Sequence, residues 1–141
     1  MLKLLVPVDG SENSIRLVDY LVKWLGRLAE PAEIHLINIQ PALHGEVGMF
    51  ISKEQMREYH HDEGIKALQA ARDTLDRADV DYTFHISVGD PAEIIVRFAR
   101  EHHCDQIVMG TRGMGNFASL LLGSVASKVI QLADVPVMLI K

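Results

Sequence analysis

Five short apolar segments alternate along the chain with longer segments that carry apolar residues at helical spacing. The first apolar segment, residues 2–8, is interrupted only by Lys3, as is typical of a central parallel strand covered on both faces. Strands that alternate with amphipathic helices form parallel sheets with right-handed crossovers. The sequence therefore predicts an α/β fold: a doubly wound, five-stranded parallel sheet of order 3-2-1-4-5, Rossmann-like, with helices on both faces.

The element boundaries follow from local start and stop signals. Strands are expected over residues 2–8, 34–39, 80–88, 106–109 and 136–140, and helices over residues 13–28, 52–78, 91–102 and 124–132. Ser11 is a good N-cap for the first helix, and Ser52 with Gln55 forms a capping-box pattern. Asp90 followed by Pro91 marks the clearest helix start. Because no repeat or linker is found, one domain is expected over residues 1–141.

The composition indicates a globular protein of the cytoplasm. Of the 141 residues 48% are hydrophobic and 23% are charged, and no apolar run approaches the roughly 20 residues that span a membrane. Cys104 is the single cysteine, which excludes an internal disulfide and suits a reducing compartment. We therefore expect cytoplasmic localisation and no contact with a membrane.

The charge is unevenly distributed. A net charge of −5 argues against nucleic-acid binding, which requires a basic face. From Gly110 onward there are three basic residues and one acidic residue, whereas the rest of the chain carries eleven basic and eighteen acidic residues. The C-terminal segment is thus the cationic part of an acidic protein, and we expect a small anion to be attracted there.

Four glycines fall between residues 110 and 124, after the fourth predicted strand and before the last predicted helix. Glycines between a strand and a helix N-terminus are typical of phosphate-binding loops. The stretch starting at Gly113 also matches G-x-G-x-x-A, with Asp134 about twenty residues further on, but a dinucleotide fold places this turn after its first strand. A P-loop is disfavoured too. Leu122 precedes Gly123-Ser124, and the glycine-lysine-serine run with which a P-loop holds phosphates is not found here.

Other polar residues suggest chemistry less strongly. His60 and His61 are adjacent on a predicted helix and do not share a face, so a solvated polar face is expected there rather than a metal site. His102 and His103 are expected to interact with a helix C-terminus. Cys104 is expected to be a partly buried, inert thiol, and no Ser/His/Asp set or carboxylate pair compels a catalytic interpretation.

Two spaced motifs identify a family resemblance. The residues Gly110, Gly113 and Gly123-Ser124 give the pattern G-x2-G-x9-G-S, and residues 6–11 give the opening turn Val-Pro-Val-Asp-Gly-Ser. Together with Val-Pro-Val at residues 135–137, these motifs resemble the universal stress protein family over essentially the whole chain. The presence of the glycine pattern makes its ATP-binding branch the appropriate comparison.

The resemblance implies a ligand and a role for specific residues. The expected ligand is ATP, with Mg²⁺ held mainly by phosphates and water, in a regulatory stress-response protein that would hydrolyse ATP slowly at most. The residues around the phosphates and ribose would be Gly110, Arg112, Gly113, Gly123, Ser124 and Val125. Those on the adenine and ribose side would be Pro7, Val8, Asp9, Ile39 and Met109. The resemblance also implies a homodimer through residues 135–141, at a sheet edge, and an unknown downstream protein partner.

Several alternatives stay open at this point. Asp9 can be a local cap, Arg112 a solvated loop charge, and Ile39 and Met109 plain core residues. The protein as a whole can be a nucleotide-hydrolysing enzyme of the ATP pyrophosphatase-like fold group, or an interaction module that binds no nucleotide. The apolar residues between the glycines are expected to pack against the sheet or a partner subunit; they are Phe117, Leu120, Leu121 and Leu122.

Overall fold

The computed structural model describes residues 1–43, 51–111 and 122–141. Its strands are β1 (Leu2–Pro7), β2 (Ala32–Gln40), β3 (Tyr82–Val88), β4 (Gln106–Gly110) and β5 (Val137–Ile140). The helices in these ranges are α1 (Glu12–Leu25), α2 (Lys53–Arg77), α3 (Pro91–Glu101) and α4 (Ser124–Leu132). None of these four helices has the length and apolar character needed to cross a membrane.

The five strands form one parallel sheet in the order β3-β2-β1-β4-β5. In the middle of the sheet Leu5 lies opposite His35 on one side and opposite Ile107 on the other. The predicted fold class and strand order are therefore confirmed. The chain moves outward in one direction from β1 to β3 and in the other from β4 to β5, so the topological switch point lies between β1 and β4.

Two apolar cores cover the two faces of the sheet. Alternate residues of β1 divide between them, since Leu4 and Val6 belong to one core and Leu5 to the other. The first core packs against α1 and α2 through Leu17, Val18 and Leu21 and through Leu68, Ala71 and Leu75. The second packs against α3 and α4 through Ala92, Ile94, Ile95, Val96 and Ala99 and through Ala126 and Val129. Each face of the sheet is thus closed by its own pair of helices.

The predicted helix starts are confirmed, and one predicted end is wrong. Ser11 accepts a hydrogen bond from the Ser14 N–H, and Ser52 and Gln55 form both bonds of a capping box. Asp90 accepts from the Glu93 N–H at the start of α3. Helix α1 ends at Leu25 rather than residue 28, and Gly26 is its C-cap. The N–H groups of Arg27 and Leu28 bond to carbonyl oxygens three residues earlier, not four, as in a 3₁₀ turn.

Side-chain amides and one backbone hydrogen bond join the carboxyl ends of three strands. Asn38, which is 2% exposed, donates from Nδ2 to the Val8 carbonyl oxygen at 2.9 Å. Gln40 donates from Nε2 to Asn38 Oδ1 at 2.6 Å, and the backbone carbonyl oxygen of Gln40 accepts from the Gly89 N–H at 3.0 Å. We call these three residues, Asn38, Gln40 and Gly89, the strand-end brace, because they connect the ends of β1, β2 and β3.

Candidate functional site

The carboxyl ends of β1 and β4 lie side by side at the switch point. Continuing the register that places Leu5 opposite Ile107 brings Val8 level with Gly110. The Thr111 N–H then donates to the Ile140 carbonyl oxygen, and the Gly123 N–H donates to the Thr111 carbonyl oxygen. These bonds hold the start of α4 beside the end of β4. The structure therefore brings together the predicted site residues at three places: Pro7, Val8 and Asp9; Met109 and Gly110; and Gly123, Ser124 and Val125.

Asp9 uses one carboxylate oxygen for local structure. Its Oδ1 accepts from the Ser14 hydroxyl at 2.6 Å and from the Ser11 N–H at 2.9 Å, and its own N–H donates to Ser14 Oγ at 2.9 Å. Within the three described ranges, Oδ2 has no hydrogen-bond partner. Asp9 is thus a local cap through one oxygen, while the other oxygen remains a possible acceptor for a ligand. Sequence reasoning missed the part played by Ser14, although a hydroxyl in the first turn of the helix was visible.

Gly10 is required by the geometry of the turn. Its φ of +84° lies in the left-handed region, and a Cβ built there would lie 3.0 Å from the Cα of Ala67 in α2. A larger residue would be strained by both the dihedral angle and this contact. The position of Asp9 relative to the end of β1 and to the middle of α2 therefore depends on this glycine.

Helix α4 begins at an N-cap that covers none of its N–H groups. Gly123 has φ −66° and ψ 159°, a conformation open to any residue, and it makes no side-chain capping bond. The first turn also contains no acidic residue. The first N–H groups of a helix lack partners within it and carry partial positive charge, so this helix end has the N–H donors whose hydrogen bonds an anion could accept, beside the end of β4.

Ile39 and Met109 lie in the core on the α3/α4 face of the sheet. Their exposures are 3% and 4%, and both pack in the same cluster as Leu5 and Ile107. Their role as core residues, one of the two alternatives, is therefore established. A ligand at the strand ends would contact only their outermost atoms.

Lys128 does not contribute a free positive charge to this edge. Its Nζ lies 3.1 Å from Asp90 Oδ2 and 3.5 Å from Glu93 Oε1, both at the start of α3. The hydrogen bond to Asp90 raises the pKa of Lys128. The pKa of Asp90 is lowered mainly by the hydrogen bond from the Glu93 N–H and further by the hydrogen bond from Lys128. One of the three basic residues of the C-terminal segment is therefore already paired with acids, which reduces the positive charge that could attract an anion there.

Some predicted residues lie outside the described ranges. They are Arg112 and Gly113 of the site, and Phe117, Leu120 and Leu121 of the apolar stretch. Leu122 is described and packs against the core on the α3/α4 face, as expected. The predictions for the other five stay predictions.

The dinucleotide interpretation fails on the position of Asp134. This acid precedes β5 at the amino edge of the sheet, opposite the glycine-containing edge, and it binds Arg100 with Oδ2 2.7 Å from the Arg100 terminal nitrogen. Cys104 is 4% exposed, and burial raises the pKa of its thiol, which agrees with an inert cysteine. His102 caps α3 and its Nδ1 lies 3.1 Å from the Phe98 carbonyl oxygen, as expected for a histidine at a helix end.

The prediction for His60 was wrong. His60 is 5% exposed and faces β3, while His61 is exposed. The polar first half of α2 had suggested a fully solvated face. The buried face of α2 nevertheless continues to its N-terminal turns, because His60 lies one turn before Gly64 on the same side as Leu68.

The comparison with known families agrees with this architecture. The sequence model described as the universal stress protein family matches residues 1–141. The chain belongs to the universal stress protein family. The resemblance inferred from the glycine pattern and the opening turn is thereby confirmed.

Individual universal stress proteins are similar over nearly the full length. Universal stress protein MJ0531 of Methanocaldococcus jannaschii is 32% identical, over 99% of this chain and 81% of that protein. The solved structure of MJ0577 from the same archaeon is 26% identical, with a TM-score of 0.81 over 99% of this chain and 94% of that one. A solved universal stress protein in complex with cAMP is 25% identical, with a TM-score of 0.71 over 99% of this chain and 97% of that one.

Proposed function

We propose that this universal stress protein binds ATP with Mg²⁺ at the edge formed by the ends of β1 and β4 and the start of α4. The observation that carries the proposal is the open N-terminus of α4, which has a glycine N-cap and no acid in its first turn. Phosphate groups fit such a helix end because they accept its unpaired N–H groups and match its partial charge. Gly110, Gly123, Ser124 and Val125 would surround the phosphates, together with Arg112 and Gly113.

The adenosine part of the ligand would lie at the end of β1. Asp9 Oδ2 is an acceptor for the ribose hydroxyls, since Oδ1 is already bound to Ser11 and Ser14. Pro7, Val8 and the outer atoms of Ile39 and Met109 offer apolar contacts for the base. The related universal stress protein in complex with cAMP supports an adenine nucleotide as the ligand class.

We propose that Mg²⁺ is held by the phosphates and by water. Within the described ranges no three His, Cys, Asp or Glu side chains are grouped so that they could hold a metal ion. Mg²⁺ commonly keeps several water ligands and takes its remaining oxygens from nucleotide phosphates. Its role would be to neutralise phosphate charge at the end of α4.

The nucleotide would act as a regulatory ligand with slow hydrolysis at most. A fast hydrolase needs a placed base for the attacking water and cations for the developing charge. Asp9 is the carboxylate at the end of β1, and its Oδ1 is already committed to two local hydrogen bonds. Lys128 is paired with Asp90 and Glu93. We therefore propose a stress-response module whose bound nucleotide is read by a downstream protein.

Isothermal titration with ATP, ADP, AMP, cAMP and NAD tests the ligand assignment directly. We expect ATP with Mg²⁺ to bind more tightly than NAD, and an Arg112→Ala variant to bind ATP about tenfold more weakly if the guanidinium contacts a phosphate. Wild-type affinity in that variant would remove Arg112 from the site. No heat or competition with any adenine nucleotide would contradict the proposed function, and rapid single-turnover hydrolysis would favour the enzyme alternative.

We propose that the protein is a homodimer through residues 135–141. β5 is an edge strand, and its four residues are each partly buried. Ile130 and Leu132, on the neighbouring helix α4, are 45% and 42% exposed. An apolar edge strand flanked by exposed apolar side chains is well suited to pairing across a two-fold axis.

We also propose a single cytoplasmic domain over residues 1–141. One sheet runs through the described ranges and uses strands from both ends of the chain, with β1 near the N-terminus paired to β4 near the C-terminus. The one cysteine is buried as a thiol, which suits a reducing compartment. Fractionation of cells expressing the tagged full chain is the direct measurement.

A further inference from the structure

The N-terminal turns of α2 carry a stripe of basic residues, with one methionine, that borders a cavity next to the sheet. The residues of this stripe follow the spacing i, i+3, i+4, i+7, i+8, and they are Lys53, Met56, Arg57, His60 and His61. Further along α2 the same side becomes apolar and packs into the core through Leu68, Ala71 and Leu75. The change from apolar to basic residues occurs where α2 passes the carboxyl edge of the sheet.

A cavity of about 440 Å³ lies between this stripe and the ends of β2 and β3. Its walls are largely apolar and comprise Ala42, Leu43, Met56, Ile86 and Val88. The cavity is limited on one side by a tight contact, since a Cβ at Gly64 would come within 2.6 Å of the Ile86 side chain. Helix α2 is therefore held closely against β3 at Gly64, and it leaves an open space one turn earlier.

His60 lines this cavity, and its ring nitrogens lack hydrogen-bond partners among the described residues. The residue is 5% exposed, and within the described part of the chain neither Nδ1 nor Nε2 has a hydrogen-bond partner. Buried polar groups without partners are costly and are uncommon in native proteins. An imidazole presents at least one N–H donor in either protonation state, so a ligand acceptor in the cavity would satisfy it.

The charge around the cavity specifies the ligand further. Among the described residues that line the cavity, Lys53, Arg57 and His61 are exposed and none is acidic. Basic groups at the rim with apolar walls beneath them match a ligand that has an anionic head and an apolar body. A cation would meet two like charges there, and a plain inorganic anion would leave the apolar walls uncovered.

The cavity is separate from the proposed nucleotide site. Ile86 packs against the core on the α1/α2 face of the sheet, whereas α4, which would hold the phosphates, lies on the α3/α4 face. Both sites open at the same carboxyl edge, but the cavity lies at the ends of β2 and β3, and the proposed nucleotide site lies at the ends of β1 and β4. A ligand in one can therefore be present together with a ligand in the other.

We propose that this cavity, which we call the His60 cavity, binds a small organic anion with an apolar body, such as a medium-chain carboxylate. The carboxylate would accept a hydrogen bond from His60 and lie near the Arg57 guanidinium. The hydrocarbon part would cover Met56, Ile86 and Val88. This assignment adds a second ligand class to the protein and does not depend on whether the first site binds ATP.

Titration of the full chain with sodium octanoate tests the proposal. NMR spectra of methyl groups and of histidine ring nitrogens should show saturable shifts at Met56, Ile86, Val88 and His60. The neutral analogue 1-octanol should bind more weakly, because it lacks the charge that Arg57 recognises. No saturable shift with octanoate, or equal binding of 1-octanol, would overturn the proposal.

Two variants and one matched control locate the interaction. His60→Phe keeps a ring of similar size without nitrogens, and Arg57→Gln changes an exposed residue; each should weaken octanoate binding about tenfold, as expected for the loss of one charge-assisted hydrogen bond. Lys66→Gln removes a positive charge from α2 outside the cavity, at a side chain that is 75% exposed, and should leave affinity unchanged. Unchanged affinity in both test variants, or an equal loss in Lys66→Gln, would contradict the assignment.

Folding and site separation are checked in the same series. His60→Phe should melt at or above the wild-type temperature, because it removes two buried nitrogens that lack partners. If His60→Phe is destabilised, the octanoate affinity of Arg57→Gln tests the assignment instead. Titration of ATP into the octanoate complex should leave the shifts at Ile86 and Val88 unchanged. Competitive displacement by ATP would place octanoate in the nucleotide site and overturn the assignment to this cavity.

Discussion

Asp9 combines a folding role and a proposed binding role in one carboxylate. Oδ1 holds Ser11 and Ser14 at the start of α1, whereas Oδ2 lacks a partner in the described ranges. The two oxygens can be tested separately because asparagine can retain the first acceptor and replaces the second with a donor. The residue therefore permits a clean test of whether the end of β1 contacts ribose.

We predict that Asp9→Asn lowers ATP affinity about tenfold while lowering the free energy of unfolding by about 1 kcal/mol or less. The matched change Ser14→Ala removes a local partner of Oδ1 and should cost about 1 kcal/mol of stability with a smaller effect on affinity. Isothermal titration and urea denaturation measure the two quantities. If Ser14→Ala and Asp9→Asn lose affinity equally, Asp9 acts on the ligand only through the local fold.

A cluster of histidines lies toward the amino ends of β2 and β3, on the α3/α4 face of the sheet. His35, 7% exposed, has Nδ1 3.1 Å from His85 Nε2 and Nε2 2.7 Å from Glu33 Oε1. Thr83 Oγ1 lies 3.0 Å from His35 Nδ1, and the His102 ring centroid is 6.0 Å from that of His85. Burial is the main cause that lowers the pKa of His85, and the nearby charges of His35 and His102 lower it further. The hydrogen bond with His35 lowers the pKa of Glu33.

We predict that the protein loses stability as the pH falls below about 6.5, the ordinary pKa of histidine. Because the pKa of His85 is lower in the folded state, the unfolded chain binds more protons in this range, so the free energy of unfolding decreases as pH falls through the folded pKa. The lowered pKa of Glu33 adds a loss at more acidic pH. Urea denaturation at pH 7.5 and 5.5 should show this difference, and His85→Asn should reduce it; a larger pH dependence in that variant would contradict the assignment.

At the scale of elements, α4 differs from the other described helices in how it starts. Helices α1, α2 and α3 each have a side chain that caps the first turn, from Ser11, Ser52 and Asp90. Helix α4 starts at Gly123 with no such cap. A missing cap is a small loss of stability, and it is what an anion-binding helix end requires.

We predict that Gly123→Asp separates helix stability from nucleotide binding. An aspartate N-cap should raise stability by a few tenths of a kcal/mol, up to about 1 kcal/mol, because it satisfies an N–H group and matches the helix dipole. The same carboxylate should weaken ATP binding by at least about tenfold by repelling phosphate. Gly123→Ser, which caps without charge, is the control and should retain more affinity. Tight ATP binding by Gly123→Asp would mean that phosphates do not lie at this helix end.

At the scale of the whole molecule, β5 is an edge strand of the sheet formed by the described residues, and the sides to which its backbone groups point can be assigned. The carbonyl oxygens of Pro136 and Ile140 accept from Ile107 and Thr111, so the even-numbered residues of β5 face β4. In a β-strand the N–H and carbonyl groups of one residue point to the same side, and the next residue points both groups to the other side. Val137 and Leu139 therefore direct their N–H and carbonyl groups to the outer edge, where a second subunit would pair.

We predict that the wild-type chain sediments as a dimer at micromolar concentration and that Leu139→Pro shifts it toward the monomer. Proline removes an N–H that faces outward, which an edge strand can tolerate while it stays paired with β4. Met138→Pro removes an N–H that faces β4 and should instead destabilise the fold. Analytical ultracentrifugation and thermal melting distinguish these outcomes. A wild-type monomer would contradict the proposed dimer.

The sequence was sufficient to predict the fold, and the site residues that it suggests stay a prediction. Strand order and helix starts could be predicted because apolar periodicity and the caps at Ser11, Ser52 and Asp90 are local signals. The environment of a side chain is not local: the pairing of Lys128 with Asp90 joins residues 38 positions apart. The burial of His60 depends on how closely Gly64 lets α2 approach β3, and that contact joins two separate elements.

The strand-end brace has a consequence for the entropy of binding. Asn38 and Gln40 fix the ends of β1, β2 and β3 relative to one another through hydrogen bonds that need no ligand. Conformational freedom at this edge is thus lost when the chain folds, and an arriving ligand does not have to remove it again. The proposed nucleotide site uses β1, and the His60 cavity uses β2 and β3, all held in this way. At these three strand ends little binding energy should therefore be used to order the protein.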